Sequence, residues 1–240
     1  MKESKLDYAI GAYPITCLQY GSFVRSRGYF QETFFEKGRL RWGWTAAGWK
    51  WKELGRITGP REYREVFQTP NHPVVGISFY EAVAYTQWLT VVLHEKKLLH
   101  PEYEIALPTG GEWLAAAGAD QSGYQWGSAE DDETISKHCN WSRSKIGATC
   151  SVGMFPIVSE ICGAYDMTGN VLEWTLEHYK NGDEGCTDPG GNDARVLRGG
   201  SWYDGVYPDN LRSSRRLGGA PGGRLNCLGF RVVVRRVSTP

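Results

Sequence analysis

Apolar positions recur along this chain with two different periods, and the change of period divides it. Near the N-terminus Tyr8, Ile10 and Tyr13 alternate in the manner of a strand, and Leu18 to Val24 then take up helical spacing. The clearest helix lies in NHPVVGISFYEAVAYTQWLTVVL, where Val83, Ala84, Trp88, Val91 and Val92 mark helical spacing. Its start is written just upstream. Ser78 and Glu81 form an S-x-x-E capping box, in which the hydroxyl accepts an amide hydrogen and the carboxylate reaches back to the cap. LPTGGEWLAAAGA carries a second box, Thr109 with Glu112, ahead of an alanine-rich helix from Trp113. The stretch 39–60, RLRWGWTAAGWKWKELGRITGP, holds neither period and reads as an ordered loop anchored by Trp42, Trp44, Trp49 and Trp51. Beyond Gly118 the chain becomes short strands and loops (YQWG, HCNWS, GAYDMTGNVLEWT, RVLRGGSW), closing on a β-branched run from Phe230 to Val234. Two main helices followed by many short strands, without βαβ alternation, predict an α+β domain. No repeat or low-complexity linker divides 1–240, so it reads as a single domain.

Composition sharpens this picture in three places. The 30 glycines, 10 tryptophans and 13 tyrosines predict many turns pinned by large rings. The formal net charge of zero gives no long-range field for nucleic acid, and no apolar run approaches a membrane span. The polar start is too short for a signal peptide, and localisation stays open: cytoplasmic by the sequence as given, or the cell surface if a leader is removed ahead of Met1. The six cysteines (17, 139, 150, 162, 186 and 227) form no CxxC pair and are expected as reduced thiols, with a Cys139–Cys150 bridge as the alternative. The five histidines fall in no HExxH or HxH pattern, so nothing points to a metal-catalytic centre. Glu81 and Glu112 are accounted for by capping rather than as an acid–base pair. Arg212, Arg215 and Arg216 are expected as internal donors or solvated charge rather than a phosphate site.

Six motifs in order then carry a resemblance: YPIT (13–16), NHPVVGISFYEA (71–82), LPTGGEW (107–113), YDMTGNVLEWT (165–175), RVLRGGSW (195–202) and LGFRVV (228–233). Together they resemble the sulfatase-modifying-factor family, which includes formylglycine-generating enzymes. The resemblance implies a C-type lectin-like fold with small twisted sheets and much irregular loop. Ala106 stands where that family commonly has arginine, and Gly110 and Gly111 replace acidic or alanine residues. The family's leading strand, which often carries a Met-Gly motif, is missing, which suggests a trimmed chain or a module cut from something longer.

The resemblance also bears on chemistry. Formylglycine-generating enzymes hold copper with two cysteines shortly after Gly-Gly-Ser, because a soft metal needs thiolates. By offset those positions fall here on Asp204 and Asp209, so copper and cysteine oxidation are not expected. The family's iron-dependent sulfoxide synthases need a three-histidine set from a further domain that this sequence does not carry. The same fold serves the variable proteins of diversity-generating retroelements, in which adenines of asparagine codons are replaced at random. Such replacement cannot yield Lys, Glu, Gln, Met or Trp, and residues 203–228 contain none of these. Tyr203, Asp204, Gly205, Val206, Tyr207, Leu217, Gly218, Gly219, Gly222, Gly223, Leu225, Asn226 and Cys227 are all reachable from an asparagine codon.

These residues, with Asp209, form the candidate ligand-binding surface inside a variable region spanning 196–233. Tyr203 and Tyr207 are the expected anchors, and Asp204 and Asp209 would add polar selectivity. The whole of 203–228 is expected on one solvent-facing patch, for a protein or a surface glycan. The alternatives are a family enzyme or accessory factor of unassigned chemistry, a structural module of a larger signalling or defence protein, and a Gly-rich loop diverged by ordinary drift. The family's Gly-Asn-x-x-Glu-Trp segment can hold calcium, so Asn170 and Glu173 are candidate oxygen ligands, no other cofactor being required. The alternative has Asn170 capping a turn and Glu173 paired with a buried arginine such as Arg198 or Arg231.

Overall fold

Capping boxes set the helices. In the computed structural model, which describes residues 8–36, 39–118, 123–126, 131–156, 159–203 and 207–237, Thr16 and Gln19 cap α1 (Cys17–Arg25) reciprocally. Ser78 and Glu81 do the same for α3 (Phe79–Glu95), and Thr109 and Glu112 for α4 (Gly110–Ala117). The stretch expected as a tryptophan-anchored loop is instead a strand and a helix. β2 (Thr33–Glu36) pairs antiparallel with β3 (Arg39–Gly43), and α2 (Ala46–Leu54) follows, its cap Thr45 accepting from the Gly48 amide. Trp44 is buried there, and Trp49 and Trp51 pack against the core; Trp42 lies in β3, with its side chain outside those described. A short α5 (Asp132–His138), capped by Asp131, stands where the sequence suggested only strands and loops. Among the described residues α3 is the one long helix, and α1, α2, α4 and α5 are shorter.

Two sheets carry the rest. β1 (Ala9–Ile10) and β4 (Tyr103–Ala106) flank β9 (Val233–Arg236), so the two ends of the chain pair with Ala9 opposite Val234. The second sheet runs β7 (Leu217–Gly219), β6 (Arg195–Arg198), β5 (Leu172–His178), β8 (Leu228–Gly229), with β5 and β8 parallel and the other pairs antiparallel. Tyr20, Phe23, Tyr85 and Phe230 form a ring cluster between α1, α3 and the C-terminal segment. Edge-to-face contacts such as Tyr85–Phe230, with centroids 5.4 Å apart, fix that junction by shape. No described helix is long and apolar enough to cross a membrane.

Buried charge ties the layers together. Glu173 on β5 accepts Nε of Arg231 at 2.7 Å and its Nη2 at 2.9 Å, and Trp113 Nε1 donates to the same carboxylate at 2.7 Å. Arg198 goes to Glu177 at 3.0 Å and to Glu184 at 3.2 Å. The departure at Gly110 follows from this network, because a Cβ there would overlap the Glu177 carboxylate. All six cysteines are free thiols, including buried Cys139 and Cys150. Burial is the main reason the Cys150 thiol is pushed up to about 12, with the Asp166 carboxylate adding to it.

Candidate ligand-binding face

The segment after β6 leaves the sheet through a turn with little room. Gly200 has φ +70°, and a Cβ there would sit 2.8 Å from a Leu211 methyl. Trp202, 9% exposed, anchors the loop: its amide donates to Asn170 O at 3.1 Å and its indole to Asn226 O at 3.0 Å. Its ring lies 5.4 Å from both Phe67 and Tyr203. From this buried base Tyr203 projects with 69% of its surface exposed, and Tyr207 with 70%. Between them Asp204, Gly205 and Val206 lie outside the described residues. The chain is fastened again by Leu211, which is fully buried at the end of a 3-10 turn over Pro208–Leu211. Exposed Asp209 pairs with Arg212 at 2.7 Å, whose guanidinium lies over the Tyr124 ring.

The return of the loop is anchored at α3. Buried Pro221 accepts the Phe79 amide at 3.0 Å, and Arg224 reaches Glu81 at 3.2 Å while also donating to Gly76 O and Gly59 O. Glu81 therefore closes the capping box and holds the loop; its burial raises its pKa, which Arg224, the Tyr29 hydroxyl and the cap counteract. Leu225 remains half exposed and Asn226 partly so.

The expectation of one continuous patch needs correction. Leu217 and Gly218 lie on β7, whereas Leu225 and Asn226 precede β8, and these strands are opposite edges of the four-stranded sheet. With neighbouring strands about 4.8 Å apart, three steps separate the two groups by about 14 Å. Trp202 gathers Tyr203 and Asn226 into one cluster, while Gly218 sits against the half-exposed Tyr179 ring in another.

Three candidate positions are also tied inward. Cys227 is buried. A Cβ on Gly219 would lie 2.8 Å from the buried Trp174 ring, and one on Gly222 2.5 Å from Trp51 Nε1. Burial and close approach fix these three, which leaves Tyr203, Tyr207, Asp209, Leu225 and Gly218 as the exposed candidates, with Leu217, Gly223 and Asn226 partly exposed. Tyr179 and Phe67 are neighbours of the loop that no local sequence pattern marks, and Trp51, expected only as an anchor of 39–60, is a third.

The candidate calcium ligands are saturated by protein. Asn170, at φ +64°, accepts the Cys150 amide at 3.0 Å and donates to Cys150 O at 3.2 Å. Both oxygens of Glu173 are taken by Arg231 and Trp113, so of the two candidate arginines it is Arg231 that pairs. A carboxylate facing a guanidinium and an indole N–H does not suit a cation, and the two residues do not fit a calcium site. Among the described residues no group of three or more His, Cys, Asp or Glu is arranged to hold a metal.

A buried, cross-braced α+β frame with a C-terminal loop held at both ends defines a C-type lectin-like scaffold of the formylglycine-generating-enzyme type. The sequence profile of the sulfatase-modifying factor enzyme 1-like domain matches residues 2–236, and the chain belongs to that family. It is 29% identical to hercynine oxygenase of Mycobacterium tuberculosis (strain ATCC 25618 / H37Rv) over 233 residues, covering 87% of this chain and 48% of that protein. It is 28% identical to inactive C-alpha-formylglycine-generating enzyme 2 of Bos taurus, covering 93% of this chain and 76% of that one. The chain spans about half the length of the hercynine oxygenases it matches. Among solved structures, Treponema denticola variable protein 1 superposes with a TM-score of 0.64 at 20% identity, over 96% of this chain and 84% of that one.

Proposed function

We propose that this is a non-enzymatic binding protein that displays a retroelement-diversified C-terminal loop to a protein or a surface glycan. The observation that carries the reading is the pairing of two strongly exposed tyrosines, Tyr203 and Tyr207, with a buried base at Trp202 and Leu211. Tyrosine offers large contact area at low entropy cost, and a rigid scaffold lets such positions change without loss of fold. The missing Lys, Glu, Gln, Met and Trp across 203–228 support the same reading, as does the fold shared with a variable protein. Packing narrows the diversified set, leaving positions 219, 222 and 227 to the frame. The genome around the gene tests this. A near-copy of the segment coding for 196–233, with AAC at the exposed positions and a reverse transcriptase beside it, is expected; a complete genome without one refutes retroelement diversification.

The similarity to hercynine oxygenases supports a second reading, a catalytic half of a longer oxygenase. Hercynine turnover by the full-length protein with iron supplied would support it, and would displace the binding reading.

A further inference from the structure

A cleft of about 680 Å³ opens between α1, the connection 55–63 and the turn that carries Phe67. That size falls within the range of small-molecule sites. Part of its wall is apolar and aromatic, with Tyr20 and Val24 on α1 and Ile57, Tyr63 and Phe67 among the lining residues. Cys17 lines it too, but its thiol donates to Phe67 O at 3.3 Å and burial pushes its pKa up to about 11. At neutral pH it is a protonated wall group rather than a nucleophile.

The charges of the cleft are unbalanced. Three arginines and one glutamate, Glu62, line it. Arg224 is spoken for by Glu81 and two carbonyls. Arg56 and Arg61 are exposed and have no carboxylate partner among the described residues. The Arg61 guanidinium rests over the Tyr63 ring, 5.5 Å from its centroid. Arg56 holds φ +50° just after the Gly55 cap of α2, a left-handed position that glycine usually takes. Arg56 thus occupies a backbone conformation that costs a non-glycine residue, and it lines the cleft.

We propose that this cleft binds a small organic anion with an apolar body. Its carboxylate or sulfonate head sits at Arg56 and Arg61, and its body lies between Tyr63, Phe67 and α1. Guanidinium groups bind such oxyanions through charge-assisted, often bidentate hydrogen bonds, and the aromatic walls supply contact area. The site stands whether or not the loop at 203–228 is diversified, because only Arg224 is shared with it.

Two fluorescent probes of nearly the same shape test this: 8-anilinonaphthalene-1-sulfonate and its uncharged counterpart N-phenyl-1-naphthylamine. The sulfonate is expected to bind at one saturable site. The double variant Arg56→Gln/Arg61→Gln is expected to weaken it tenfold or more while leaving the neutral probe within twofold. Glu62→Gln, which removes the opposing charge, is expected to tighten the sulfonate two- to threefold, so the test does not rest on losses alone. Thr58→Trp, at the lining, is expected to weaken both probes. Unchanged melting temperatures show that these surface variants fold. No saturable binding to the wild type, sulfonate affinity within twofold in the double variant, or binding that survives Thr58→Trp overturns the proposal.

Discussion

Removing one partner of the Glu173–Arg231 pair decides whether Glu173 serves the frame or a metal. Both side chains are buried, Arg231 at 0% and Glu173 at 1% exposure, and are joined by two hydrogen bonds of 2.7 and 2.9 Å. Glu173→Gln keeps the shape and, at the Oε2 position, an acceptor for both Trp113 Nε1 and Arg231 Nε, but it removes the negative charge and sets an amide NH2 against Arg231 Nη2, whose remaining acceptors are the carbonyls of Tyr165 and Asp166. A buried charge stripped of its counter-ion costs about 3–5 kcal/mol. In a chain of this size that lowers the melting temperature by roughly 6–20 °C. Arg231→Met should fall in the same range by leaving the carboxylate alone. The double variant Glu173→Met/Arg231→Met is expected to lie no lower than the worse single variant, since no uncompensated charge remains. The assay is thermal unfolding by circular dichroism, in millimolar calcium and again in chelator. Equal losses in both solutions are expected. A loss that appears only with calcium present, or a double variant as poor as the two singles added, would refute the ion-pair account and restore Glu173 as a cation ligand.

Three further outcomes rest on the packing and the buried acid. Gly219→Val should cost about 1–3 kcal/mol by overpacking against Trp174, whereas Gly218→Ser, whose neighbour is the half-exposed Tyr179 ring, should stay within about 1 kcal/mol by chemical denaturation. Tyr203→Ala and Tyr207→Ala should each change stability by less than about 0.5 kcal/mol, because both rings are mostly in water; a drop above about 2 kcal/mol would place them in the frame instead. Asp166 is 7% exposed, and its carboxyl is pushed up to about 6, chiefly by burial, against the Gly153 amide and the Arg231 charge. A folded-state pKa above the unfolded one means that the native form binds more protons, so this group's contribution is full below about pH 4 and is lost as pH rises toward 6. The change is worth about 3 kcal/mol. Asp166→Asn, which the left-handed φ of +53° tolerates, should flatten that part of the stability–pH curve, and an unaltered curve would reassign the slope to other groups.

What was legible in the sequence was local. The boxes at Ser78–Glu81 and Thr109–Glu112 specify their own helix starts, because the partners are three residues apart and need nothing else. The same logic holds at Thr16–Gln19, where glutamine takes the place of glutamate and the signal is easier to miss. Helix α2 escaped because Thr45 caps onto a glycine rather than onto Glu or Gln, and the tryptophans around it blurred the period. Helix α5 escaped because Ile135 is its one buried residue, which leaves no apolar face to see. The division of the loop between two edges of a sheet was not readable at all. It arises from the parallel pairing of β5 with β8, more than fifty residues apart in the chain.

That pairing explains why the frame reaches into the loop rather than stopping at its ends. The loop returning to the far edge of the sheet passes α2 and α3, where Gly222 approaches Trp51 and Pro221 accepts the Phe79 amide. Its backbone comes within contact of Trp174 at Gly219 and of Trp51 at Gly222, and Arg224 is drawn down to the buried carboxylate of Glu81. Between these fixed points the chain bulges into solvent, at Tyr203 and Tyr207 on the outward leg and at Leu225 and Asn226 on the return. Any process that varies this loop and keeps the fold must spare the contact points and spend its changes on the bulges. Glycine at 219 and 222 meets these contact points, whereas the tyrosines at 203 and 207 stand in solvent, so packing holds the first pair and leaves the second free to change.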